Sequence, residues 1–113
     1  EEILSLLHDL GLNDLMSSLP EGLDAQVGEK GVRLSSGQKQ RINIARGLLL
    51  KRPVLLLDEP TAHLDKASEE LVIKRLSRLP SSVTVVVVSH HAELRSLCSR
   101  EFKFENGVMR EAS

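Results

Sequence analysis

The stretch from Val54 to Asp65, V-L-L-L-D-E-P-T-A-H-L-D, decides the fold expected for this chain. Its first four residues are apolar, a run of strand length, and they end directly on two adjacent carboxylates and a proline. Because ligands collect at the carboxyl ends of strands in α/β sheets, we expect Asp58 and Glu59 to stand at the rim of a sheet. The stretch therefore predicts a site as well as a strand.

A second strand is predicted from Val83 to Val88, where five of the six residues are valine. A β-branched run without alternation is typical of a parallel strand that is buried on both faces. Apolar residues at helical spacing predict that the crossover between the strands is a helix over residues 66–79. His90 closely follows the second strand, so its imidazole is expected at the same rim as Glu59.

The rest of the chain places helices before the first strand and a hairpin after the second. The order is helices, then β-α-β-α-β-β, which indicates an α/β fold with a helical region in front of a mainly parallel sheet with flanking helices. The remaining predicted elements are helices over residues 1–10, 13–19, 35–51 and 91–98, and a hairpin that turns at Asn106-Gly107.

Composition limits the classes of function. The 113 residues are 41% hydrophobic, with 15 basic and 16 acidic side chains and a formal net charge of −1, which is a globular balance. Without a basic excess, binding to a nucleic-acid backbone is not expected. The apolar runs are of strand length, far below the roughly 20 residues that span a bilayer.

A second candidate site is L-S-S-G-Q, Leu34–Gln38, at the start of the long predicted helix. Serine hydroxyls, a glycine that permits close backbone approach and free N–H groups at a helix N-terminus together suit a phosphate. A serine-capped helix without any ligand explains these residues equally well. A carboxylate pair after a strand is likewise often a solvated loop, and a lone histidine at a strand end is often structural. Each motif alone is weak.

In combination, the motifs resemble the C-terminal half of the nucleotide-binding domain of ATP-binding cassette (ABC) transporters. Leu34–Gln38 is similar to the family's signature motif, Val54–Glu59 to its Walker B segment with the catalytic glutamate, Ala62–Asp65 to its D-loop, and His90 to its H-loop. Order and spacing agree over nearly the whole chain. The resemblance implies a partial P-loop NTPase fold, with a helical subdomain over residues 1–52 and part of the RecA-like ATPase core over 53–113.

The resemblance also implies a role for each matching residue. Asp58 organises Mg²⁺, Glu59 acts as general base on the attacking water, and His90 contacts the γ-phosphate of ATP. The signature motif closes over ATP that is held by a second nucleotide-binding domain, identical or different, and Asp65 communicates across that interface. The nucleotide-binding residues implied in the signature motif are Ser35, Ser36, Gly37 and Gln38.

The segment Asp24–Gly31 resembles the X-loop of exporter-type members, which touches the transmembrane domains, and Glu29 is the residue assigned to that contact. Together with L-P-E-G-L-D at residues 19–24, this favours an exporter working at the cytoplasmic face of a cell membrane, such as the bacterial inner membrane. The stretch D-E-P-T-A-H-L-D is similar to the paired exporters linked to cytochrome bd assembly and thiol export.

Several features depart from the family pattern. The usual double glycine of the signature is Ser36-Gly37, and His63 stands where D-loops commonly have small residues. No P-loop, G-x-x-x-x-G-K-[ST], and no Q-loop occur in the 113 residues, and the chain is expected to begin just after the Q-loop. We therefore expect the chain alone neither to bind ATP tightly nor to hydrolyse it, and its open sheet edge to favour association.

Two other functions are compatible with the same motifs. A soluble ABC ATPase of DNA repair or translation shares them, although the X-loop sequence and the lack of basic clusters count against it. A non-catalytic half-domain accounts for the missing P-loop, but the intact Asp58, Glu59 and His90 favour descent from a catalyst. The sequence predicts part of an export ATPase that uses ATP and Mg²⁺.

Overall fold

The computed structural model describes residues 1–29 and 31–112, and its elements follow the predicted order. Three helices come first, and they are followed by a β-α-β unit and a hairpin. The helices are α1 (Glu2–Asp9), α2 (Asn13–Ser18), α3 (Ser36–Leu49) and α4 (Lys66–Leu76). The strands are β1 (Val54–Asp58), β2 (Thr84–Val88), β3 (Phe102–Glu105) and β4 (Val108–Glu111). Short 3₁₀ helices lie at Gly22–Asp24 and Ala92–Leu97.

Strands β1 and β2 pair in parallel, with Val54 opposite Thr84 and Asp58 opposite Val88. Helix α4 forms the crossover between them, so the prediction that the two strands are neighbours is confirmed. Both strands point their carboxyl ends to the same edge of the sheet, which brings the residues after Asp58 close to the residues after Val88.

Strands β3 and β4 form a separate antiparallel hairpin, whose predicted turn is confirmed. Asn106 has φ 51° and Gly107 has φ 77°, so both turn residues are left-handed. Two consecutive left-handed residues match the right-handed twist of the flanking strands, and asparagine and glycine adopt that conformation more readily than other residues.

One hydrophobic core joins the first helices to the β-α-β unit. Leu6 on α1 is followed by Leu10 four residues later, and Val72 on α4 by Leu76. On α3, buried Ile44 and Ala45 are followed by partly buried Leu48 and Leu49, so each helix turns a single face to the core. The core contains residues from before and after Arg52. The predicted division into a helical subdomain over residues 1–52 and an ATPase-core part over 53–113 stays a prediction. The buried cluster consists of Leu6, Leu10, Leu12, Ile44, Ala45, Leu57, Val72 and Leu76.

The prediction that the valine strand is buried on both faces is wrong for the described residues. Val85 and Val87 pack against the core, whereas Val86 and Val88 on the other face are 46% and 59% exposed. Strand β1 shows the same asymmetry, because Leu57 is buried while Leu56 is 73% exposed. Helices of the described chain cover one face of the sheet only, so the other face presents aliphatic side chains to solvent.

Two predicted helices differ from the observed ones. Helix α4 ends at Leu76, three residues before the predicted end. Beyond it the backbone forms hydrogen bonds between residues three apart, such as Leu79 N–H to the Leu76 carbonyl, in place of the α-helical spacing of four. The segment predicted as a helix over 91–98 is a 3₁₀ helix. Within residues 1–29 and 31–112, no helix has the length and apolarity to span a bilayer.

Candidate active site

The carboxyl ends of β1 and β2 bring Glu59 and His90 together. One Glu59 carboxylate oxygen, Oε1, lies 3.5 Å from His90 Nε2, and the other, Oε2, accepts a hydrogen bond from the Ser89 hydroxyl at 3.3 Å. The Glu59 side chain is 29% exposed and the His90 side chain is 97% exposed. The predicted proximity of Glu59 and His90 is confirmed, and the arrangement joins a carboxylate that can accept a proton to an imidazole open to a ligand.

The backbone of Glu59 is held in an unusual conformation. Its φ is 46°, in the left-handed region, which costs a non-glycine residue on the order of 1–3 kcal/mol. Its N–H donates to the Val88 carbonyl at 2.7 Å, which ties it to the last residue of β2. A strained backbone conformation of this kind persists only where surrounding contacts hold it. The conformation of Glu59 therefore depends on its contacts with the neighbouring strand.

Gln40, on α3, makes the second backbone contact to this region. Its side-chain Nε2 donates to the Glu59 carbonyl at 2.5 Å, and its Oε1 accepts from the His63 N–H at 3.2 Å. One amide therefore joins helix α3 to both halves of the loop between β1 and α4. Sequence reasoning missed Gln40 and Ser89 as parts of this site. The signal for Ser89 was its place beside His90, and the signal for Gln40 was a polar side chain on the part of α3 nearest the signature motif.

The signature motif forms the beginning of α3. Ser35 is the N-cap: its hydroxyl accepts from the Gln38 N–H at 3.1 Å, and the Gln38 side chain accepts from the Ser35 N–H at 2.9 Å. This reciprocal capping box satisfies two backbone donors at the helix start. The Ser35 hydroxyl still has its own proton to donate, and the Gln38 amide still has its NH₂ group.

Gly37 lies against the loop after Pro60. A Cβ at this position would stand 3.0 Å from the His63 carbonyl oxygen and 3.3 Å from Leu64 Cδ2, closer than side chains normally approach. Arg41 also donates to the Gly37 carbonyl at 3.2 Å and to the Gly11 carbonyl at 3.1 Å, which fastens α3 to the chain after α1. The glycine of the signature motif is therefore needed for packing within this chain.

Replacing Gly37 with alanine is expected to destabilise the chain relative to the same change at Gly47. Both glycines lie in α3, but a Cβ at Gly47 meets only Leu55 Cδ1 at 3.4 Å, an ordinary contact. Gly47→Ala should therefore be neutral or stabilising by up to about 1 kcal/mol through helix propensity. Gly37→Ala should cost about 1–3 kcal/mol through overpacking, as measured by urea unfolding. Equal free energies of unfolding for the two variants would contradict this packing.

Asp65, the last D-loop residue, caps α4. Its carboxylate accepts from the Ser68 N–H at 2.7 Å, and this backbone hydrogen bond is the main reason that the pKa of Asp65 is lowered. The structure does not join Asp65 to Glu59 or His90 by any recorded hydrogen bond or ion pair of the described residues. The role implied for it, communication across a dimer interface, stays a prediction.

Asp58 is the last residue of β1, and its side chain is exposed. Within residues 1–29 and 31–112, no hydrogen bond or ion pair occupies its carboxylate. An unengaged carboxylate at the end of a strand, followed in the sequence by a second acidic residue, offers oxygen donors of the kind that suit a hard cation such as Mg²⁺. The donor chemistry therefore fits the ion that the family resemblance implies.

Polar side chains connect the chain after His90 to α4. His91 Nδ1 lies 3.7 Å from Glu69 Oε2, and Lys66 Nζ lies 3.1 Å from Glu69 Oε1 and 3.7 Å from Glu93 Oε1. The hydrogen bond to Glu69 is the main cause that raises the pKa of Lys66. Glu69 is 7% exposed, so a buried carboxylate anchors the segment that carries His90.

The predicted X-loop is a compact turn in its described part. Gly28 has φ 103°, its N–H donates to the Val32 carbonyl at 3.0 Å, and the Val32 N–H donates to the Gln26 carbonyl at 2.9 Å. Val27 and Glu29 are exposed. Lys30 falls inside the predicted segment Asp24–Gly31 but outside the described residues. The described part of the loop thus presents apolar Val27 and two acidic side chains, Asp24 and Glu29, to solvent.

Two cavities lie away from this rim. They have volumes of about 230 and 460 Å³, and Leu79, Pro80 and Val83 line both of them. Val83 precedes β2, so these cavities are toward the amino ends of the strands. The groups with recognisable chemistry gather at the opposite ends, which are open to solvent.

Comparisons with known proteins agree with this arrangement. The sequence profile of the ABC transporter family matches residues 1–62, which include the signature motif, β1 and Glu59. A probable ABC transporter ATP-binding/permease protein of Haemophilus influenzae is 38% identical over 109 residues, and an ATP-dependent lipid A-core flippase of Xylella fastidiosa is 50% identical over 90 residues. They cover 96% and 80% of this chain.

A solved structure of a bacterial Atm1-family ABC exporter with ATP bound superposes with a TM-score of 0.79 at 31% identity, and it covers 94% of this chain. The chain itself spans 20% of the Haemophilus relative, 15% of the Xylella relative and 18% of the exporter of known structure. The partial P-loop NTPase fold expected from the sequence is confirmed by this likeness.

Proposed function

This chain belongs to the ABC transporter family, and we propose that it supplies one wall of an ATP-hydrolysing site in a longer export protein, called here the complete transporter. The observation that carries the proposal is the convergence of Glu59 and His90 at the carboxyl ends of β1 and β2, with Oε1 and Nε2 3.5 Å apart. The relatives support a longer export protein, because they are named as a transporter, a flippase and an exporter and this chain matches only a fraction of the length of each.

In the proposed reaction, the Glu59 carboxylate orients a water molecule and accepts its proton, and His90 donates a hydrogen bond to the γ-phosphate of ATP. Asp58 is the residue that would hold Mg²⁺, which when bound neutralises charge on the phosphates. Ser89 keeps the Glu59 carboxylate in place by donating to Oε2. Positioning and electrostatics supply most of the rate enhancement in phosphoryl transfer, and this chain offers groups of that kind.

The signature motif is proposed to meet nucleotide held by a second nucleotide-binding domain. The donors left free by the capping box, the Ser35 O–H and the Gln38 NH₂, together with Ser36 and the N-terminal amides of α3, suit phosphate oxygens. Gly37 allows close approach of backbone at this point. The proposal therefore needs a dimer of such domains, identical or different.

The segment Asp24–Gly31 is proposed to contact the transmembrane part of the transporter, at the cytoplasmic face of a cell membrane such as the bacterial inner membrane. Exposed Val27 and Glu29 offer one apolar and one charged contact for that part. The uncovered face of the β1–β2 sheet, with Leu56 at its centre, is proposed to pack against another segment of the same domain.

Because the proposal assigns only one wall of the ATP site to this chain, we expect the 113-residue chain alone to release no phosphate from ATP in the presence of Mg²⁺. Its sequence contains no G-x-x-x-x-G-K-[ST] motif, whose lysine and backbone amides hold the β- and γ-phosphates, so we expect Glu59 to have no positioned substrate. The measurement is phosphate release by the purified chain and, in parallel, by the complete transporter in membranes, where turnover is expected. Turnover by the chain alone that disappears on Glu59→Gln would overturn the proposal.

A further inference from the structure

Gln40 holds the loop after β1 from both sides, through a single amide group. Its Nε2 donates to the carbonyl of Glu59, and its Oε1 accepts from the N–H of His63, four residues farther along the loop. The side chain is half-buried, and its hydrogen bond to the Glu59 carbonyl is partly shielded from water, whereas its bond to the His63 N–H is exposed. No other side chain of the described residues is recorded as bonding the Glu59 backbone.

The backbone of Glu59 is left-handed and is held at both of its polar groups. Its N–H is bonded to Val88 at the end of β2, and its carbonyl accepts from Gln40 on α3 at 2.5 Å and, over a longer distance of 3.3 Å, from the Ala62 N–H. With both groups fixed, the direction in which the side chain leaves the backbone is fixed as well. That direction brings its carboxylate to Ser89 and His90.

Gln40 also lies close to the signature motif. It follows Gln38 by two residues on α3, whose first turn packs against the His63 carbonyl at Gly37. A displacement of the beginning of α3 would therefore be transmitted through a rigid helix to the Gln40 amide, and from there to the Glu59 carbonyl. The contact connects the face proposed to meet a partner's nucleotide with the carboxylate proposed to act on water.

We propose that Gln40 is a positioning residue for Glu59: it stabilises the left-handed backbone that aims the carboxylate at the reacting water, and it couples that aim to the position of the signature helix. The inference rests on the proposed function and deepens it. Gln40 does not touch the substrate. Its loss is expected to reduce kcat with little change in KM for ATP, because the groups that bind nucleotide are elsewhere.

The test uses the complete transporter with two substitutions of similar size. Gln40→Met keeps the volume and removes both hydrogen bonds, while Gln40→Glu keeps the acceptor for the His63 N–H and removes the donor to Glu59. Both are expected to lower kcat on the order of 10- to 100-fold, the scale of a catalytic group misplaced by about 1 Å. Asn43→Ala, which removes an exposed amide without a recorded bond from the same helix, should leave kcat unchanged.

Wild-type kcat in Gln40→Met or in Gln40→Glu would overturn the inference, since the donor to Glu59 would then be dispensable. A rise in KM equal to the fall in kcat would also overturn it, because it would indicate a role in nucleotide binding. If Glu59→Gln itself hydrolyses ATP at the wild-type rate, the proposed function fails. If Glu59→Gln is inactive and the Gln40 variants are normal, only the role of Gln40 fails.

A double-mutant cycle guards against a loss of activity through misfolding. Gln40→Met in the Glu59→Gln background should cause no further loss of single-turnover rate, because a residue that acts through Glu59 has nothing left to position. A further loss of the same size as in the wild-type background would mean that Gln40 acts independently of Glu59, and it would overturn the inference.

Discussion

Replacing Glu59 with glutamine in the complete transporter is expected to lower ATP hydrolysis by a factor on the order of 10² to 10⁴ while ATP binding is retained. Glutamine keeps the size of the side chain and its hydrogen bond to Ser89, but it cannot accept a proton from water. The Glu59 carboxylate is the acid group that the structure brings next to His90, so no neighbouring residue is expected to replace it.

The matched control is Glu105→Gln. Glu105 is an exposed residue at the end of β3, in the hairpin that does not pair with the β1–β2 sheet. The same chemical change there should leave turnover at the wild-type rate. Steady-state phosphate release measures both variants, and a Glu59→Gln protein that remains active would remove Glu59 from the role of general base.

Replacing Leu57 with alanine is expected to lower the free energy of unfolding of the chain by about 2–5 kcal/mol. Leu57 is 7% exposed and belongs to the core cluster that joins β1 to the helices, so the change leaves a cavity where α3 and α4 meet the sheet. Leu56→Ala, one residue away on the open face, should change stability by less than about 0.5 kcal/mol.

Urea unfolding of both variants in the 113-residue chain measures this contrast. Similar losses at both positions would mean that both faces of β1 are covered, which would contradict the exposure of Leu56. In the complete transporter, where we propose that the open face is packed, Leu56→Ala should become costly as well.

The sequence predicted the fold well where local signals and connectivity act together. The serines at the start of α3 predicted a capped helix there, and the structure shows Ser35 as the N-cap. Asn106-Gly107 predicted the hairpin turn, because these residues readily adopt the φ that it requires. The pairing of β1 with β2 followed from the helical crossover between two apolar runs.

Burial of the sheet faces could not be predicted in the same way. The aliphatic residues of β1 and β2 show that both faces of the sheet are compatible with burial. They do not show which elements of this chain cover each face. In the described residues the helices cover Leu57 and Val87 and leave Leu56 and Val88 in solvent. A hydrophobic pattern shows that a strand face can be buried. Whether it is buried depends on which other elements pack against that face.

The candidate site shows a similar division. Asp58, Glu59 and His90 are recognisable because they lie at or just after the ends of apolar strands that meet at one edge. Gln40 is 19 residues from Glu59, and its contribution depends on how α3 crosses the loop after β1. The left-handed backbone of Glu59 is likewise invisible in the sequence, since glutamate gives no sign of adopting it.

The identity of the nucleotide retained by the complete transporter with Glu59→Gln shows whether Glu59 is the residue that activates water. The variant is incubated with radiolabelled ATP and Mg²⁺, separated from free nucleotide, and its bound nucleotide is resolved as ATP or ADP. If Glu59 is the base that activates water, the retained nucleotide is unhydrolysed ATP. Retention of ADP at the wild-type proportion would mean that Glu59 is not the general base.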